Sequence, residues 1–71
     1  MEVNIEALKR LLEERFNNNQ SSFAEALGIE RTHVNKVFKK NGKGAGALFC
    51  GAIIKYCNLN NLDYQKYIFL N

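Results

Sequence analysis

Thr32, Asn35, Lys36 and Lys39 recur at i, i+3, i+4 and i+7, a spacing that gathers four polar side chains on one face of a helix. The chemistry they offer is recognition by hydrogen bonding and charge. Lys36, or Arg31 just before the set, can donate to guanine N7 and O6; Asn35 can pair with adenine; the Thr32 methyl can touch a thymine methyl. Lys39, Lys40 and Lys43 suit phosphate oxygens instead. The free N–H groups expected at Gly44 and Ala45, where a further helix should open, form an anion site. Contacts of this second kind fix register without reading sequence. His33, the single histidine, lies in the same stretch and reads as a groove-edge or phosphate contact.

Charge is divided along the chain in the same sense. Residues 1–30 carry a balance of −3 and residues 31–71 a balance of +6, within a net charge of +3. Between Arg31 and Leu62 there is no carboxylate, so one end of the molecule should be electropositive and suit a polyanion such as nucleic acid. A chain of 71 residues leaves little volume for a catalytic pocket, and no nucleophile, base or cofactor constellation stands out, so an enzyme is not expected. His33, Cys50 and Cys57 lack zinc-finger spacing and a fourth ligand. The two cysteines, seven apart, are too distant for a disulfide within one helix and read as buried thiols. No apolar run approaches a membrane span and the first residues do not resemble a signal peptide, which places the chain in the cytoplasm.

Stepwise apolar spacing supplies the elements that would position these groups. Asn4 can cap a helix over 5–16 with Ile5, Leu8, Leu12 and Phe16 on one face. Ser21 or Ser22 should begin a second, shorter helix with Phe23, Ala24 and Leu27 inside, stopped by Gly28. Val34, Val37 and Phe38 mark a third over about 31–40. Leu48, Phe49, Ala52, Ile53, Tyr56 and Cys57 mark a fourth from about Ala45 to Asn58, expected to be the most buried. Asp63 should cap a last short helix through Tyr67. The whole of 1–71 reads as one all-α, five-helix domain without proline.

The turn at Gly28 is too brief for its flanking helices to lie antiparallel, so they must cross steeply. A small residue, Ala24, is needed where they approach, and Gly28 supplies a positive φ. Ile29 plugs the gap, and Val34 and Val37 lay the third helix on the second. The run Gln20-x-x-Phe23-Ala24-x-x-Leu27-Gly28-Ile29-x-x-x-x-Val34-x-x-Val37 resembles the helix-turn-helix of the Cro/repressor type, about residues 20–39. The chain's ending is similar to small regulators of prophages and mobile elements in Gram-positive bacteria. The resemblance implies a lambda-repressor-like fold and a transcriptional regulator, most simply a repressor, reading double-stranded DNA without a cofactor. It further implies that Gln20 bonds a phosphate and braces the recognition helix, with Ser21 assisting. Two departures stand out. Glu30 occupies a position usually Ser or Thr, which leaves the first turn of the recognition helix irregular. The glycine after the third helix comes late, at Gly42, so that helix should run half a turn longer.

One such helix reads few base pairs, so a two-fold homodimer on half-sites about ten base pairs apart is expected. The apolar end Tyr67, Ile68, Phe69 and Leu70 is the candidate contact, unless it closes the core. The competing reading is a protein-interaction module, such as an antitoxin or a mobile-element accessory protein, using exposed tyrosines and the tail. No small-molecule ligand or membrane partner is indicated.

Overall fold

In the computed structural model, which describes residues Glu2–Phe69, asparagine starts and stops most of the helices. Asn4 and Asn19 hold extended backbone, and their side chains accept from the N–H groups of Ala7 at 3.3 Å and Ser22 at 3.1 Å. They open α1 (Ile5–Phe16) and α2 (Gln20–Leu27). The second helix therefore starts ahead of the two serines, because Asn19 already satisfies the donors that a serine cap was expected to serve. Asn17 and Asn18, with φ 51° and 61°, turn the chain between these helices.

Three helices close alike. Ile29 N–H donates to Ala24 C=O at 3.1 Å after α2; Gly42 donates to Val37 at 2.8 Å after α3 (Arg31–Lys39); Leu62 donates to Cys57 at 2.8 Å after α4 (Gly46–Leu59). Each closure passes through one left-handed residue, Gly28, Asn41 or Asn61, and satisfies carbonyls that a helix end leaves free. Asn41 therefore stops α3 at Lys39, and the late glycine does not lengthen it. Gly42 answers a different need: at φ +89°, a Cβ there would meet Val3 Cγ2 at 2.9 Å and Ile5 Cβ at 3.3 Å.

The chain is mostly helical, as expected, with four α-helices among the described residues rather than five. Asp63 does act as a cap, accepting from Gln65 N–H at 3.0 Å, but of a single 3-10 turn, Tyr64–Lys66. The chain then extends, and β2 (Ile68–Phe69) pairs antiparallel with β1 (Glu2–Val3), Val3 opposite Ile68. Asn4 adds two ties, its N–H to Tyr67 C=O at 2.7 Å and its Nδ2 to Lys66 C=O at 3.1 Å. Of the two readings of the tail, this ribbon fits closure of the core for Ile68, 2 % exposed, and Tyr67, half-buried against it. Phe69 remains partly exposed, and Leu70 lies outside the described residues.

One run of aromatic rings joins all four helices. Phe38 of α3 meets Phe23 of α2 at 6.2 Å, Phe23 meets Phe16 of α1 at 5.2 Å, and Phe16 meets Tyr56 of α4 at 5.9 Å, all tilted or edge-on as ring quadrupoles prefer. Around it lie Leu8, Ala24, Val34, Phe49 and Ile53, all buried. Two expectations fail here. Tyr56 is buried and Tyr64 and Tyr67 half-buried, so the tyrosines are not an exposed set. Leu48 is 70 % exposed, because Phe49, Ile53, Tyr56 and Cys57 define the inner face of α4 and Leu48 falls outside it. No helix of the described residues is long and apolar enough to cross a membrane.

Gly42→Ala should lower stability by about 1–3 kcal/mol, through left-handed strain and crowding against Val3, measured by urea unfolding. Cys50 and Cys57 are free, buried thiols, and burial raises the pKa of each above 9.0, assisted at Cys57 by the Asp63 carboxylate. The unfolded chain releases these protons first, so stability should hold below pH 9 and fall as pH rises beyond it. A Cys50→Ala/Cys57→Ala variant, whatever its offset, should show a shallower alkaline decline in urea midpoint.

Candidate nucleic-acid interface

α3 rests on the core through Val34 and Val37, 0 % and 2 % exposed, with Phe38 half-buried at its edge. The opposite side presents Arg31, Thr32, Lys36 and Lys39 to solvent, continued by the capping residue Lys40. Asn35, expected among them, is half-buried at the border of this face. Lys43 and Gly44 are exposed in the loop that follows. Among the described residues the one ion pair within 4.0 Å is Lys9 with Glu6, at 3.9 Å on α1, so none of their carboxylates lies within that distance of these cations. Lys36 and Lys39 in the last turn also oppose the negative end of the helix dipole, which makes the face compatible with the helix that carries it.

At the start of α3 Glu30 makes no side-chain cap, yet the irregular first turn expected from it is absent, since α3 is a regular helix from Arg31. The Glu30 backbone is extended, φ −72° and ψ 143°, as a cap requires, yet its carboxylate makes no capping bond. It lies 3.5 Å from Thr32 Oγ1. The first turn is held by main chain alone: His33 and Val34 N–H both donate to Glu30 C=O, at 3.1 and 3.2 Å. A glutamate has one methylene more than the aspartate that caps well, so its oxygens overshoot the N–H groups they would need to reach.

Two of the residues expected to contact phosphates are less open than the lysines. The His33 ring is half-buried, 5.7 Å from the ring of Phe49 and tilted by 60°, so it packs α3 onto α4. Ala45 is 5 % exposed and belongs to the core, and α4 opens one residue later at Gly46, which is exposed. Gln20 is half-buried at the first position of α2, with Ser21 exposed beside it. The motif positions behave as the spacing requires: Ala24 is 3 % exposed, Gly28 has φ 71°, and Ile29 is half-buried against the core. Comparison with protein-family models, with curated proteins and with solved structures finds no match to this chain.

The sequence contained a signal for the burial of His33 that charge alone masks. His33 precedes Val34 and lies four residues before Val37, at the flank of the apolar stripe rather than opposite it. A hydroxyl in place of the ineffective cap should strengthen the start of α3: Glu30→Ser is expected to raise stability by about 0.5–1 kcal/mol, read as a shift of the thermal or urea midpoint.

Proposed function

We propose that the protein is a sequence-specific DNA-binding regulator of the Cro/repressor helix-turn-helix kind, most simply a repressor, with a lambda-repressor-like arrangement of its helices. In this reading α3 enters the major groove, which is wide enough to admit a helix. Arg31, Thr32, Asn35 and Lys36, toward its N-terminal half, meet base edges. Lys39, Lys40, Lys43, Gly44, Gln20 and Ser21 hold phosphates on either side. The observation that carries the proposal is the exposed cationic face of α3, standing on the α2–Gly28–α3 crossing. Two copies on a near-palindrome supply the specificity that one short helix lacks, and bound across a promoter they exclude other proteins from it.

A second reading, an interaction module such as an antitoxin or accessory protein, draws on the exposed Leu48 and Leu59. Salt separates the two. Affinity for DNA should fall linearly in log–log form as counterions are released, by about 0.9 per phosphate neutralised, whereas an apolar protein contact hardly responds.

Selection of bound duplexes from a random pool should enrich a near-palindrome with half-sites about ten base pairs apart. On that site Lys36→Ala should cost about 1–3 kcal/mol while affecting random DNA much less. Equal losses on both would move Lys36 to the phosphate-binding set, and an unenriched pool would remove the proposal.

A further inference from the structure

α4 has a second apolar face. Leu48, Ala52, Lys55 and Leu59 recur at i, i+4, i+7 and i+11, along one line at the flank of the core-facing side, with Ala52 half-buried between exposed neighbours. Leu48 is 70 % exposed and Leu59 75 %, so within one protomer their side chains remain largely in water. Each stands at the rim of an apolar hollow. The hollow at Leu48 is walled by Gly28, Ile29, Glu30 and His33; the one at Leu59 by Ala26, Leu27, Gly28, Ala52 and Lys55, with Glu25 across it on α2.

We propose that this face pairs with the same face of a second copy of the chain, the two α4 helices antiparallel about a two-fold axis. It names the dimer contact that the DNA-binding reading calls for, and rests on that reading only for its purpose. Antiparallel pairing with Leu48 beside Leu59 of the second copy places each leucine in the hollow that the other rims. The contact is then self-complementary, as a two-fold interface must be.

Charge selects the same orientation. Glu30 rims the hollow at Leu48, and Lys55 rims the one at Leu59 from within the paired line of α4 itself, whereas Glu25 lines it from α2. Antiparallel pairing sets Glu30 of each copy against Lys55 of the other, twice. Parallel pairing would set like against like. Midway, Ala52 is small, and Gly51 has no side chain although a Cβ there would meet nothing within 4 Å. Its absence answers no crowding inside the protomer, and it lets two helix backbones come close, toward the lower end of the roughly 8–10 Å range. The Lys55 stem can lie along the apolar face while its ammonium reaches the rim. Arg31, Thr32, Lys36 and Lys39 line neither hollow.

With two exposed leucines per copy at its centre the contact should be small, so the free protein should associate weakly and DNA should hold two copies together. Sedimentation equilibrium of the full chain without DNA, from about 10 μM to about 1 mM, should show a reversible monomer–dimer equilibrium. Leu48→Glu and Leu59→Glu should each weaken it at least tenfold with an unchanged melting temperature, since both side chains are largely in water in the protomer. Glu30→Lys and Lys55→Glu should each weaken it, and the double reversal should restore it to within about threefold. On DNA, Leu59→Glu should bind a single half-site like the wild type and lose affinity for the full palindrome. A chain that stays monomeric throughout, or a dimer indifferent to both leucine variants, would overturn the proposal. Should no duplex be selected while the double reversal still rescues the dimer, the DNA-binding reading fails and this one stands.

Discussion

A nine-residue helix without a side-chain cap cannot hold itself in water, because nucleation costs more than so few hydrogen bonds return. The exposed face of α3 therefore exists only through what its hidden face touches. Val34 and Val37 are withdrawn from solvent against α2, Phe38 closes on Phe23, and His33 leans on Phe49 of α4. Those contacts come from two different helices and clamp the short helix on both flanks. The orientation of Lys36 and Lys39 is thus a property of the core, and damage at Phe23 would reach the cationic face without touching any residue on it.

The same dependence explains why the chain spends asparagine and glycine so freely at its turns. Of ten asparagines, Asn4 and Asn19 begin helices and Asn17, Asn18, Asn41 and Asn61 adopt left-handed backbone. Short helices have a large share of their backbone groups at their ends, so the satisfaction of those groups matters more here than in a longer bundle. Six of the ten asparagines thus have structural work at helix ends.

Much of this was legible in the sequence, and the reasons for the failures are physical. The extents of α1 and α3 and the stop at Gly28 followed from apolar period and cap chemistry, and the structure keeps them within a residue. The crossing residues Ala24, Ile29, Val34 and Val37 did as well. Asn19 was passed over for Ser21 or Ser22 because all three are good caps and the apolar spacing of Phe23, Ala24 and Leu27 does not choose among them. The strand pair was not visible: two residues at each end make no periodicity, and their pairing depends on bringing positions 3 and 68 together. Leu48 was counted among the apolar residues marking the buried fourth helix, whereas helical angle sets it with Ala52 and Leu59. The cationic set was readable from spacing, except that charge says nothing of how a ring such as His33 packs.

Gly28, Ile29 and Glu30 serve more than one of these arrangements. Backbone closure at Gly28 ends α2, Ile29 covers the crossing, and Glu30 opens α3 through its carbonyl, which receives two N–H groups. The side chains of Ile29 and Glu30 also wall the hollow beside Leu48. On the proposed assembly, then, a carboxylate left without a cap to make is the group that meets Lys55 of the second copy. The residue that is a poor cap for its own helix has a reason to be long, because its length carries the charge beyond the N–H groups of α3 and out to the rim. A serine would hold the helix better and reach nothing across it.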